Sequence, residues 1–180
     1  MIKKIFFGII TVIILLFVSF LLFVQKDNPN AKVENKTLTH EVVLNELKNE
    51  KVVLFVLNSQ CEGCNSGIEF IKKDIQYCKS NNIKYLIIFD EIINNNVDLK
   101  IKEFKKRNNF NEDVYLIDPA LYKSNIGIIA SKRRLVDFLS HFVPDVNKII
   151  LGYPQYFYFK DGHYRGNSFY DLEINSKKYL

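Results

Sequence analysis

Lys51-Val52-Val53-Leu54-Phe55-Val56-Leu57 runs directly into Asn58-Ser59-Gln60-Cys61-Glu62-Gly63-Cys64. The first seven residues form a continuous apolar, β-branched run, the mark of a strand buried on both faces. After a short loop the spacing turns helical. Ile68, Ile71, Ile75 and Cys78 recur on one stripe, and Lys72, Lys73 and Gln76 are left to face outward. The two cysteines therefore sit where a buried strand hands over to a helix. Free backbone N–H groups and the positive end of the helix dipole favour an anion at Cys61, and the thiolate is the reactive form of the residue. Cys64 lies one turn further on, within reach of a disulfide across that turn, and Gly63 relieves crowding between the two. The pattern suits a reversible dithiol–disulfide couple.

On either side of this stretch the chain alternates between strand and helix patterns. His40 to Asn49 reads as a short helix behind Thr39 as N-cap, with Val43, Leu44 and Leu47 on one side. Lys84 to Phe89 is a second buried strand, and Val97 to Arg107 an amphipathic helix. Val114 to Ile117 is a third strand, stopped by Asp118-Pro119. Ile126 to Phe142 reads as a helix whose inner side carries Leu135, Phe138 and Phe142. Its Lys132-Arg133-Arg134 run reads as a solvated face. Tyr156 to Lys160 is a fourth strand. Asp161-Gly162 is a tight hairpin signal after which His163-Tyr164-Arg165 pairs back. Alternating strands and helices predict an α/β fold, a central mixed sheet flanked by helices with an antiparallel edge from the closing hairpin. The tail after Gly166 is short and polar, too much so for a full final helix.

The first 24 residues differ from the rest. Lys3 and Lys4 precede an apolar run from Ile5 to Val24, interrupted only by Gly8, Thr11 and Ser19. A 20-residue helix spans about 30 Å, the thickness of a bilayer core. The lysines predict an N-terminus on the cytoplasmic side, and no small-residue cleavage pattern follows the run. Residues 1–24 are therefore read as an uncleaved signal anchor with a single transmembrane helix, 25–37 as a flexible polar tether, and 38–180 as the folded domain outside the cytoplasm. Periplasm and outer cell surface are equally open.

Of the 180 residues, 48% are hydrophobic and 25% charged, enough for a buried core and too apolar for disorder. With Lys3 and Lys4 set aside, 23 basic residues face 20 acidic ones. That balance, with no dense basic stripe, excludes a nucleic-acid footprint. Three cysteines are too few for a disulfide-stapled scaffold. A structural zinc site needs two further ligands, and His40, His141 and His163 show no paired spacing. A static disulfide between Cys61 and Cys64 would be strained and easily reduced. Cys78, on the apolar stripe, reads as a buried, inert thiol.

With the Cys-x-x-Cys placed between a buried strand and a helix, the chain resembles the thioredoxin-like family. Gly152-Tyr153-Pro154-Gln155-Tyr156, before the closing hairpin, strengthens the resemblance. By that resemblance Pro154 is a cis-proline facing the cysteines, and Tyr153 before it offers backbone hydrogen bonds to a substrate chain. The stretch from Leu121 to Ile150 is longer than a minimal member needs, which predicts an inserted helix before the cis-proline strand. An exported domain on one anchor, with Glu62 after the first cysteine, looks like the membrane-tethered reductases that serve cytochrome c maturation and related envelope thiol chemistry. The carboxylate of Glu62, with no cation between the cysteines, points to a weaker oxidant. The chain also departs from the family. Gln60 stands where thioredoxins have Trp, Phe55 where they bury an acid, and Gly67 where the cytochrome-maturation reductases carry a Glu. The proton acceptor for Cys64 is therefore left unidentified.

The resemblance implies a thiol–disulfide oxidoreductase in which Cys61 attacks a substrate disulfide, Cys64 resolves the mixed disulfide, and Tyr153 and Pro154 hold the substrate strand. No metal or organic cofactor is required. The partners implied are protein thiols and disulfides as substrates and a membrane or dithiol protein for recycling. The alternative is a non-catalytic thioredoxin-like module that holds a partner in peptide export or envelope assembly. A peroxide-reducing relative is a weaker fit, because Asn58-Ser59-Gln60-Cys61 lacks the Thr of a Thr-x-x-Cys setting.

Overall fold

The computed structural model describes residues 10–15, 28, 31–48, 51–122 and 127–180, with the side chains of 127–133 left aside. The expected membrane span over Ile5 to Val24 lies outside the described residues except for 10–15, which are helical. Among the described residues no helix is long and apolar enough to cross a membrane.

Six strands form one sheet: β1 (Thr37–Leu38), β2 (Lys51–Leu57), β3 (Lys84–Phe89), β4 (Tyr115–Ile117), β5 (Gln155–Lys160) and β6 (His163–Ser168). Their order across the sheet is β1-β4-β3-β2-β5-β6. The first four in space run parallel, whereas β5 pairs antiparallel to both β2 and β6. The helices are α1 (His40–Glu46), α2 (Glu62–Ser66), α3 (Ile68–Ser80), α4 (Val97–Arg107), α5 (Gly127–Ser140) and α6 (Leu172–Tyr179), with a 3-10 turn at Val146–Lys148. Thus α5 and that turn fill the long stretch between β4 and β5.

The run at β2 is apolar on both sides because both sides are covered. Val53, Phe55 and Leu57 face Ile68, Ile71 and Ile75 of α3 and Ile101 and Phe104 of α4. Val52, Leu54 and Val56 face Val43 of α1 and Leu135, Phe138 and Leu139 of α5. Alternate residues of one strand thus supply two cores, as a strand with period two requires. The β2–β3 register sets Leu57 beside Phe89, and the β2–β5 register sets Val56 opposite Gln155. The chain therefore leaves β2, leaves β3 and enters β5 at one end of the sheet. Segments 58–64, 90–93 and 150–154 meet there.

Three findings differ from the sequence reading. The tail does form a helix, α6: Leu172 is fully buried, Ser176 is 5% exposed, and Tyr179 stacks on Tyr158 at 5.1 Å between ring centroids. These residues share one helical face, but only part of it is apolar, so hydrophobic spacing does not reveal it. Arg134 is not on a solvated face. It is 2% exposed and donates to the backbone carbonyl of Glu91. The helix after Cys64 is broken at Gly67 into α2 and α3. A Cβ at Gly67 would lie 2.5 Å from the Tyr170 hydroxyl and 2.8 Å from the Gly63 carbonyl oxygen, so the chain turns where no side chain fits.

The end of the tether is docked. Thr37 and Leu38 pair with Leu116 and Ile117 of β4, and Asp98 accepts hydrogen bonds from the Glu34 and Asn35 backbone N–H groups at 2.8 and 3.0 Å.

Candidate functional site

Cys61 is the N-cap of α2, half-buried, and Cys64 lies inside the helix with no exposure. Both are free thiols, as is Cys78. The turn before the helix is built from its own backbone and from Asn58. Cys61 N–H donates to the Asn58 carbonyl at 3.2 Å, and Gln60 N–H to Asn58 Oδ1 at 3.0 Å. Asn65 then clamps the turn. Its Nδ2 donates to the carbonyls of Cys61 (2.8 Å) and Ser59 (3.3 Å). Its Oδ1 accepts from Arg107 (2.6 Å) and Asn108 (3.1 Å) at the end of α4. Glu62 is exposed at the first turn.

The second wall is the segment before β5. The Tyr153–Pro154 peptide bond is cis. Cys61 Sγ donates to the Tyr153 carbonyl at 3.4 Å, so the structure brings together Cys61, Cys64, Tyr153 and Pro154. A Cβ on Gly63 would come within 3.1 Å of that carbonyl, so the helix approaches this segment closely. Buried Gln155 braces the loop: its amide nitrogen donates to the Ile150 carbonyl and Asn167 Oδ1, and its oxygen accepts from Gly152 N–H. On the far side, Tyr170 donates from its hydroxyl to the Gly63 carbonyl at 2.8 Å.

The third wall was not anticipated from sequence. Asp90 and Glu91, which directly follow β3, are 1% and 2% exposed. Asp90 accepts the Tyr153 hydroxyl on Oδ2, and its carbonyl accepts Asn58 Nδ2 at 2.6 Å. Glu91 accepts the Ser59 backbone N–H on Oε1. Ser59 Oγ also lies near enough to favour the charged carboxylate, though outside ordinary hydrogen-bond geometry. This acidic pair ties the cysteine loop to the cis-proline loop. The available signal was two acids at the end of a strand adjacent to the one that delivers Cys61.

Burial pushes the Cys64 thiol far above its ordinary range. The Asn58 backbone N–H opposes this, and the neighbouring Cys61 and the charge of Glu91 add to it. Burial also raises the Glu91 carboxyl, against the Ser59 contacts and the charges of Lys100 and Arg134. Cys78 is fully buried, its thiol pushed up to about 12 by burial and secondarily by Asp74. Phe55 packs against Tyr156 at 4.5 Å between centroids, in the core below the site. Among the described residues no cluster of three or more His, Cys, Asp or Glu could hold a metal. Chemically, the site offers one half-buried and one fully buried cysteine a helical turn apart, the Tyr153 carbonyl beside the first, and buried carboxylates on the adjoining loop.

No family model matches this sequence, and no curated relative does. Solved structures do match in shape. The thioredoxin domain of a thiol-disulfide oxidoreductase from Bacteroides vulgatus superposes with a TM-score of 0.51 at 13% identity, covering 76% of this chain and 84% of that one. A thiol:disulfide interchange protein from a Bacteroides species gives 0.50 at 12% identity, covering 74% of each. At such identities the likeness is one of fold, and the fold of this chain is thioredoxin-like α/β, a mixed sheet flanked by helices.

Proposed function

We propose that this chain is a thiol–disulfide oxidoreductase held to a membrane by its N-terminal segment and working outside the cytoplasm, where it reduces disulfides of protein substrates. The observation that carries the reading is the placement of Cys61: half-buried at a helix N-terminus, its sulfur 3.4 Å from the Tyr153 carbonyl, with the buried Cys64 thiol one turn behind. The thioredoxin-like fold supports it, and the names of the two structural neighbours agree with it. The apolar run from Ile5 to Val24 behind Lys3 and Lys4 supports the tether. The absence of any cation between the cysteines supports the reducing direction.

In this reading an extended substrate segment lies along the Tyr153–Pro154 backbone. The Cys61 thiolate attacks one sulfur of the substrate disulfide, and the second substrate sulfur leaves as a thiolate. Cys64 then attacks Cys61, which releases the substrate dithiol and leaves the Cys61–Cys64 disulfide for a membrane or dithiol partner to reduce.

Two variants test the roles. Cys61→Ser loses all exchange with a disulfide substrate, and Cys64→Ser accumulates a mixed disulfide that gel shift under non-reducing conditions detects. A Cys61→Ser chain with undiminished exchange refutes the reading. Thiol trapping of the wild-type chain across graded dithiol–disulfide buffers tests the direction. A midpoint near about −270 mV marks a reductant, and one near about −120 mV a disulfide-forming oxidant.

A further inference from the structure

We infer that the anchored chain turns the cysteine end of its sheet toward the bilayer surface and acts on disulfides that lie there, in the membrane-adjacent segments of other membrane proteins; the inference rests on the membrane-tethered exchange reading above.

The observation that carries it is where the tether is fixed. Asn28 donates its backbone N–H to the Ile93 carbonyl at 2.7 Å, and its own carbonyl accepts the Ala31 N–H at 3.0 Å. Ala31 and Val33 pack against the core that contains Ile93, Val97 and Ile101. Asp98, in the first turn of α4, accepts the Glu34 and Asn35 backbone N–H groups and, at 2.6 Å, the Asn35 side-chain amide. The described part of the stretch expected to be a flexible tether thus lies on the domain, and its first described residue is bonded at the cysteine end. Leu57 and Phe89 are register partners on adjacent strands, about 4.8 Å apart. Cys61 follows Leu57 by four residues, and Ile93 follows Phe89 by four. Ile93 belongs to the core cluster against which Cys61 packs.

Chain length then sets the orientation. Four peptide steps separate Val24, the last apolar residue of the anchor, from Asn28. They reach no further than about 14 Å, whatever path they take. With a radius of gyration of about 15 Å for its size, the domain is roughly 40 Å across. The end with Asn28, Ile93 and Cys61 therefore faces the bilayer, and the opposite end is held away from it. Were residues 25–37 all loose, they would reach about 45 Å, and either end could face the membrane.

The two ends of the sheet differ in a way that fits. Ile150, in the loop before the cis-proline, is 83% exposed. Phe169 is 45% exposed and lies over Gly152 of the same loop, where a Cβ would come within 2.8 Å of its ring. Exposed apolar side chains of this kind suit a membrane boundary or the apolar flank of a membrane protein. The far end exposes Asn81, Asn82, Lys84 and Asp113 instead. The reaction is the exchange given above, with the same transfer of two electrons from Cys61 and Cys64 to the substrate disulfide. Placement alone selects which disulfides reach Cys61, because a disulfide in the same bilayer meets it at a raised effective concentration.

The test uses the full-length chain in phosphatidylcholine vesicles. Cys64 and Cys78 are fully buried, so a maleimide fluorophore on the wild type reports from Cys61. A chain with Cys61→Ser and Ser80→Cys carries the fluorophore at the other end of α3, about 18 Å along that helix from Ile68. Lipid with a spin-labelled headgroup should quench the Cys61 label several-fold more strongly than the label at position 80. Inserting about ten Gly and Ser residues after Gln25 adds about 35 Å of reach and should bring the two labels to equal quenching. For the reaction, one disulfide peptide is offered in solution and, through an acyl chain, at the vesicle surface. The insertion should leave the solution rate unchanged and lower the surface rate by about tenfold. Equal quenching of the two labels without the insertion overturns the inference. So does an insertion that leaves the quenching difference or the surface rate as it was. If the chain does not float with the vesicles, the anchor reading falls and the inference with it. If it floats but reduces neither peptide, the exchange reading falls and takes the inference along. If it floats and exchanges while the two labels are quenched equally, the anchor and exchange readings stand without the inference.

Discussion

Asp74 on α3 is 7% exposed and accepts the Leu172 N–H on Oδ1 at 3.2 Å. Its Oδ2 and the Tyr156 hydroxyl interact but lie outside ordinary hydrogen-bond geometry. Burial holds its carboxyl above the reference 3.8, and the Tyr156 and Leu172 contacts only reduce the shift. The sign follows from linkage. An acid whose folded pKa is raised imposes no cost below its unfolded pKa, and a growing cost as pH climbs from there through the folded value. Asn keeps the acceptor for Leu172 and carries no charge. Asp74→Asn should therefore gain stability relative to the wild type as pH rises from about 4 to about 8. Thermal melts at the two pH values check this, and an unchanged gap between the proteins would sink it. Glu91 is also a buried acid with a raised carboxyl, but the charges of Lys100 and Arg134 act on it and it stands at the candidate site. The two acids show how residue type alone underdetermines role.

At the scale of elements, α6 acts as a brace. Leu172 is fully buried against the α3 core, and Tyr179 stacks on Tyr158 of β5. Just before it, Tyr170 holds the Gly63 carbonyl within the cysteine helix. Gly67 leaves room for that phenol, since a Cβ there would meet it at 2.5 Å. Leu172→Ala should cost about 2–5 kcal/mol in urea unfolding with an unchanged m-value, as for a fully buried Leu whose site cannot collapse. A loss below about 0.5 kcal/mol would show that α6 packs loosely, in the range of an inconsequential surface change.

At the scale of the whole molecule, β2 lies at the centre of the sheet, with β3 on one side and β5 on the other, and both of its faces are covered. β1 is a two-residue edge strand paired on one side only. Amide exchange followed by mass spectrometry should find β2 and β5 slowest, opening only with global unfolding, and β1 much faster. Equal protection of β1 and β2 would contradict this. The architecture also explains the location of the candidate site. Parallel strands β2 and β3 end together, and β5 begins beside them, so three loops converge at one end of one sheet.

What the sequence determined by itself was local. Six apolar residues from Val52 to Leu57, a stripe at Ile68, Ile71 and Ile75, and Asp161-Gly162 each announce their element, because strand, helix and turn each leave a short-range period or a special residue. Cys61 and Cys64 were legible for the same reason: their chemistry depends on a spacing of three residues. Gly152-Tyr153-Pro154 was legible through family resemblance, and its distance from Cys61 was not. Only the tertiary structure decided that Asp90 and Glu91 are buried rather than solvated, that Arg134 turns inward to the Glu91 carbonyl, and that a polar tail forms α6. Each of these depends on groups 32 to 98 residues away in the chain. Burial of a charge is set by what packs around it, and a one-dimensional pattern holds no record of those neighbours.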